Sequence, residues 1–161
     1  MPLFIGEFFY TLDDKGRVNI PAKFRKATSE NADGTYIIQH GRDKCLYIYP
    51  MDVYEKKVIE IIDKLSEADP LHRAYMSLLG SKSIDATLDK QGRISIPPKF
   101  LEYAGIQKDV HIVGAYNRIE VWDPKTREQY IQEIESSGID LEEKISNEIN
   151  QWIKKNFIRL Y

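Results

Sequence analysis

Two short stretches of this chain set an acid and an arginine at the same spacing, Asp13 to Arg17 and Asp89 to Arg93, each with a glycine just before the arginine, Gly16 and Gly92. Arginine offers a planar fork of donors that suits phosphate, or the O6 and N7 of guanine. Aspartate is a short acceptor that bonds nearby backbone N–H groups and shapes turns. The pair therefore reads as a salt bridge stapling a turn, as a nucleic-acid contact, or as both, with the aspartate structural and the arginine outward. Asp13, Asp14 and Asp89 also suggest paired carboxylates for acid–base work, but acids at a turn usually shape it. His40, Asp43 and Cys45 lie close together, yet a structural zinc site needs four ligands and nothing completes this set. His72 and His111 stand alone, and no GxGxxG, P-loop or GxSxG occurs. The expectation is no catalytic residue, no metal, no cofactor and no small-molecule substrate: a binding protein, not an enzyme.

The elements that must position these residues come as an internal repeat. Thr11-Leu-Asp-Asp-Lys-Gly-Arg-Val-Asn-Ile-Pro-Ala-Lys-Phe24 returns as Thr87-Leu-Asp-Lys-Gln-Gly-Arg-Ile-Ser-Ile-Pro-Pro-Lys-Phe100. Phe8, Tyr10 and Leu12 alternate ahead of the first copy, as Ile84, Ala86 and Leu88 do ahead of the second, which predicts a half-buried strand before each turn. Val18 with Ile20 and Ile94 with Ile96 predict the returning strand. Pro21 and Pro97-Pro98 end it and suit the start of a short helix through Phe24 and Phe100. Further strands are expected at Thr35–Gln39, Leu46–Tyr49, Val110–Val113 and Ile119–Trp122. Tyr47, Tyr49 and Trp122 sit on them as core residues. Helices are expected from Asp52, in a capping box with Glu55, from Pro70 to Leu79, and from Asp123-Pro124. A last helix, capped by Asp140 with Glu143, carries Leu141, Ile145, Ile149, Trp152, Ile153 and Phe157 on one stripe, which must pack on its own core or on a neighbouring subunit. The organisation expected is a first repeat over 1–80 with its linking helices, a second over 81–135, and a helical extension over 136–161.

The 161 residues, 42% of them hydrophobic, suffice for a real core. No stretch approaches the roughly 18 apolar residues of a membrane span, and the opening is unlike a signal peptide, so a cytoplasmic protein with no membrane partner is expected. The lone Cys45 excludes an intrachain disulfide. A net charge of −2 argues at first against nucleic acid. It conceals a division, however: Lys15, Arg17, Lys23, Arg25 and Lys26 run without an acid among them, while residues 133–148 set six acids against Lys144.

Strand, Asp-x-x-Gly-Arg turn, strand and Ile-Pro, occurring twice, resembles the MraZ family of bacterial transcriptional regulators, whose repeats belong to the AbrB and SpoVT class. The resemblance runs to about Tyr130. It implies an α+β, β-rich fold in which two swapped-hairpin modules form a pseudo-dimeric barrel with flanking helices. It also implies a ring-like homo-oligomer on the nucleoid, acting at direct repeats of double-stranded DNA in the promoter of the cell division and cell wall gene cluster. Arg17 and Arg93 are then the DNA-binding residues, with Lys15, Lys23, Arg25, Lys26, Lys90 and Lys99 as phosphate contacts, and Asp13, Gly16, Asp89 and Gly92 shaping the turns. Because Lys15 becomes Gln91 and Arg25 becomes Leu101 in the second copy, the first repeat is expected to bind more strongly. An antitoxin-like interaction module of the AbrB class is the alternative.

Overall fold

Both Asp-Gly-Arg stretches form the tight turns their residue types call for. In a computed structural model that describes residues 2–157, β1 (Phe4–Thr11) leads into the first turn and β2 (Arg17–Asn19) leaves it. β5 (Ser83–Thr87) and β6 (Arg93–Ser95) flank the second. Prolines then end the short strands and begin α1 (Ala22–Ala27) and α4 (Pro98–Ala104), the latter closed by Gly105 at φ +67°. Each copy continues into a hairpin, β3 (Thr35–His40) with β4 (Leu46–Pro50) and β7 (Asp109–Tyr116) with β8 (Ile119–Trp122). α2 (Met51–Ile62) and α3 (Pro70–Ser81) join the copies, and α5 (Pro124–Ser136) and α6 (Leu141–Phe157) follow the second.

Among the described residues the strands on either side of a turn do not pair with each other; each finds its partner in the other repeat. β1 crosses to the other copy and pairs antiparallel with β7, Phe4 opposite Tyr116 through Thr11 opposite Asp109. β5 likewise pairs with β3. The result is a six-stranded antiparallel sheet in the order β1-β7-β8-β4-β3-β5, in which each hairpin accepts one strand from the opposite repeat. β2 and β6 pair with one another in a separate ribbon, Arg17 opposite Ser95, Val18 opposite Ile94 and Asn19 opposite Arg93. The architecture is α+β and mostly antiparallel. β1 and β5 stand at the ends of the sheet order, and the strand pairing among the described residues does not by itself show the closed barrel that the resemblance implies.

Interleaved strands can bury their apolar faces only in a common core. Phe4, Val18, Ile20, Phe24, Ile38 and Ile48 from the first copy cluster with Ile94, Ile96, Phe100, Val110, Ile112 and Val121 from the second, all buried. Burying each such side chain fully contributes about 1.5–3 kcal/mol, so neither copy can leave the other without exposing its half. The β1–β7 crossing is the tightest point. A Cβ on Gly114 would come within 2.5 Å of the Phe4 carbonyl carbon and 2.6 Å of Ile5 N, both backbone atoms that cannot move without breaking the ladder. Gly114→Ala should therefore lower the unfolding free energy by about 1–3 kcal/mol or more, measured by urea denaturation. An unchanged midpoint would show that β1 is not held there.

The capping box expected at Asp52 is not formed. Pro50, with φ −54°, already presets the helical turn, so α2 starts at Met51 and takes no side-chain cap; Asp52 lies inside the first turn. Asp69 and Asp140 do cap α3 and α6, accepting from Leu71 N at 2.8 Å and Glu143 N at 3.1 Å. The chain divides into two units, 1–127 and 128–161, with the boundary inside α5. In the second unit the stripe predicted on α6 is present and uncovered, Leu141, Ile145, Ile149, Trp152 and Ile153 all being exposed. Residues 158–161 of the expected extension, and Met1, lie outside the described residues. No helix among the described residues is long and apolar enough to cross a membrane.

Candidate nucleic-acid interface

Each turn is organised by its aspartate. Asp13 Oδ1 accepts from Lys15 N and Arg17 N, both at 2.9 Å, and Oδ2 accepts from Arg17 Nε at 2.6 Å. Asp89 repeats the arrangement with Gln91 N at 2.8 Å, Arg93 N at 3.0 Å and Arg93 Nε at 2.9 Å. Backbone bonds close both turns, Gly16 N to Asp13 O at 3.0 Å and Gly92 N to Asp89 O at 3.1 Å, with the glycines at φ +73° and +75°. A β-carbon would strain that conformation. Because each aspartate takes its own arginine through Nε, the Arg17 terminal nitrogens are left without a partner among the described residues.

The hydrogen bonds from Arg17 N and Arg93 N are the chief reason that Asp13 and Asp89 ionise below the usual carboxylate range; burial opposes the shift. A lowered pKa means that the folded turn favours the ionised form. Its contribution is complete above the ordinary aspartate value and is lost only as pH falls through the lowered one. Carboxyl NMR titrations should therefore place both midpoints below about 3.9. Midpoints at or above that value would mean that the turn bonds do not persist in solution.

Crossing of the repeats brings the two turns together. Arg93 Nη1 lies 3.4 Å from Asp13 Oδ2, so one aspartate contacts both arginines. Ile20 N donates to Gly92 O and Ile96 N to Gly16 O, each at 3.0 Å, which ties each ribbon strand to the opposite turn. Residues directly opposite in an antiparallel pair share a face. Val18 and Ile94 are buried on the inner face of the ribbon, and Arg17, Asn19, Arg93 and Ser95 share the outer one. The two arginines are partly exposed, and Asn19 and Ser95 are exposed. Asn19 and Ser95 were not expected as site residues. The signal was available, since they alternate with Val18 and Ile94, but which face is free depends on the partner strand.

The basic residues disperse. Lys15 and Lys90 are exposed on the turns themselves, and Lys26 and Lys99 are exposed on α1 and α4. Lys23 reaches back along β1, where its Nζ would lie 3.8 Å from a Cβ on Gly6. Arg25 donates Nε to Ile20 O at 3.1 Å and lies over the turn of the other repeat, where a Cβ on Gly92 would meet its Cζ at 2.6 Å. Its counterpart Leu101 lies against Gly16, 3.6 Å from a Cβ there. A first-repeat cation thus serves the second turn, and an apolar side chain serves the first.

The residues set aside on sequence have local roles. His40 stacks on Tyr103 at 4.0 Å and meets Phe100 edge-on, and its pKa is lowered by burial and then by Lys82. Burial pushes the Cys45 thiol up to about 12. Tyr49 and Trp122 are buried in full. Trp122 Nε1 donates at 3.1 Å to Glu120, a buried acid that sequence patterning missed, and Arg118 at 2.8 Å and Arg127 at 3.7 Å neutralise it. Among the described residues no group of three or more His, Cys, Asp or Glu side chains is placed to hold a metal.

Comparison with known proteins agrees with the repeat. A family model described as "MraZ protein, putative antitoxin-like" matches residues 3–76 and 81–148, one segment for each copy. A protein of Natranaerobius thermophilus named Transcriptional regulator MraZ is 40% identical over 146 residues, 89% of this chain and 96% of its own length. One of the same name from Finegoldia magna is 37% identical, covering 90% of this chain and 98% of its own, and one from Thermomicrobium roseum is 32% identical, covering 89% and 98%. With both turns falling inside the matched segments, and with the likeness extending over nearly the full length of each relative, the chain belongs to the MraZ family.

Proposed function

We propose that the protein is a transcription regulator that binds double-stranded DNA in a sequence-specific way through the outer face of the β2–β6 ribbon. The observation that carries this reading is the convergence of Arg17 and Arg93, each oriented by an aspartate, on one exposed two-stranded face. A two-stranded ribbon fits the major groove, and arginine there pairs with guanine or phosphate. Lys15 and Lys90 on the turns, with Lys26, Lys99, Lys23 and Arg25 behind them, serve as phosphate contacts that position the ribbon without reading sequence. The two repeats act as one pseudo-dimeric reading unit and 136–161 as an extension to it. The names of the relatives support regulation of transcription. The family resemblance supports direct repeats in the promoter of the cell division and cell wall genes, a ring-like homo-oligomer, and a place in the cytoplasm on the nucleoid. The uncovered stripe of α6 supplies a face for self-association. No catalytic step, cofactor or membrane enters the reading.

The deciding experiment is a gel-shift titration against DNA upstream of the protein's own gene, with an unrelated duplex of the same length as competitor. Preference for the upstream DNA by at least 10³-fold is expected of a specific regulator; equal binding to both duplexes would overturn the reading. The family description favours a second one, an antitoxin-like interaction module whose partner is another protein. Tight association with a partner protein, in a chain that binds no promoter DNA, would establish that reading instead.

A further inference from the structure

We propose that Asn19 and Ser95 are the residues that give the ribbon its base preference and its direction along the DNA; this rests on the DNA-binding reading above. The two side chains occupy equivalent places in the repeats and, in the folded chain, diagonal corners of one face. Asn19 stands opposite Arg93, and Ser95 stands opposite Arg17. Both are exposed, and neither side chain has a hydrogen-bond partner among the described residues. Each therefore meets a ligand on this face without first giving up an internal bond.

Their neighbours are constrained in a way that they are not. Both arginines spend Nε on an aspartate, and Arg93 gives a second nitrogen to Asp13, so their reach is set by the turns. The turn frames match, with Asp13 and Asp89, Gly16 and Gly92, and Arg17 and Arg93 at equivalent positions, although Asp14-Lys15 of the first turn is Lys90-Gln91 in the second. A face made only of Arg17 and Arg93 would look almost the same after a half rotation about the Val18–Ile94 pair, and would read both directions of a site alike. On the outer face of the ribbon itself, Asn19 and Ser95 break that symmetry. A carboxamide presents a donor and an acceptor side by side, which matches the N6 and N7 of adenine, whereas a hydroxyl either donates or accepts and so suits many base edges. The corner beside Arg93 is thus adenine-selective and the corner beside Arg17 is tolerant. A half-site read by one subunit has a polarity. Subunits arranged head to tail then require sites repeated in the same orientation, because an inverted copy would set the serine where adenine is to be recognised.

The test uses the full-length protein and the tightest-binding upstream duplex, with every base pair of the site replaced in turn and affinities measured by fluorescence anisotropy. Asn19→Ala and Asn19→Ser are expected to flatten the preference at one adenine position by about 5- to 150-fold, while leaving the preferences at other positions and the circular dichroism spectrum unchanged. Ser95→Asn is expected to create a new adenine preference at the position related by the ribbon's pseudo-two-fold, and to reduce the discrimination between direct and inverted repeats. Rescue of the Asn19→Ala profile by Gln at the same position, which restores an amide, would support direct readout. If Arg17→Ala abolishes binding but the Asn19 and Ser95 variants keep the wild-type profile at every position, this inference fails and the DNA-binding reading stands. If the wild-type protein shows no base preference at all, both fail.

Discussion

A duplex carrying two direct repeats is expected to bind roughly 10² to 10⁴ times more tightly than one carrying a single repeat. The reason lies in how little charge the protein brings. At a net charge of −2 its overall field does not attract DNA, and only a few cations lie on each turn. A patch of that size gives non-specific affinities on the order of 10⁻⁴ to 10⁻⁶ M at physiological salt. A homo-oligomer that sets identical ribbons side by side makes every contact after the first intramolecular, so affinity rises with no new kind of interaction. Geometry limits the gain. Inserting about 5 base pairs between the repeats, half a helical turn, rotates the second site away from its ribbon and should remove most of it. The measurement is a titration of one-repeat, two-repeat and half-turn-shifted duplexes at several salt concentrations, with light scattering of the free protein. Affinity should fall steeply as salt rises. Equal affinity for all three duplexes, or a monomer at working concentration, would refute linked binding.

Replacing either turn arginine is expected to be nearly as damaging. One bidentate contact contributes about 1–3 kcal/mol, and Arg17→Ala loses one in every subunit of the assembly, so binding to tandem sites should fall below detection while the far-ultraviolet spectrum remains native. Sequence alone suggests that Arg93→Ala is milder, because Lys15 and Arg25 have Gln91 and Leu101 as counterparts. The folded chain weakens that distinction. Arg25 lies over Gly92 at the Arg93 turn, where Lys90 also stands, whereas Leu101 sits at the Arg17 turn with Asp14 and Lys15, so the surroundings of Arg17 are no richer in positive charge than those of Arg93. Losses within about tenfold of each other are therefore expected from the two alanine variants. Asp13→Asn should also weaken binding, because Asp13 touches both guanidinium groups. Wild-type affinity in the Arg17→Ala protein would show that the contact surface lies elsewhere.

What could be read from the chain by itself was local. Asp13-x-x-Gly16-Arg17 and its copy determine their turns because a short acceptor and a glycine at positive φ satisfy the backbone within a few residues. Pro21 and Pro97 end their strands because neither has an N–H to donate, and Asp69 and Asp140 cap their helices for the complementary reason. The duplication identifies the family, since matched flanks around both turns are far more specific than an acid and an arginine alone. Pairing was not legible in the same way. Alternation places Val18 and Ile94 on buried faces but does not say which strand covers them, and only the crossing of the repeats puts β2 beside β6 and β1 beside β7. That crossing moves Arg25 to the opposite turn, brings Arg93 within reach of Asp13, and sets Asn19 and Ser95 beside the two arginines on the candidate face. A residue's partners along the chain follow from its type and spacing, whereas its partners across the fold follow from which apolar surfaces a common core can bury together. In this protein that core joins both repeats, so the tertiary structure alone decides the composition of the face.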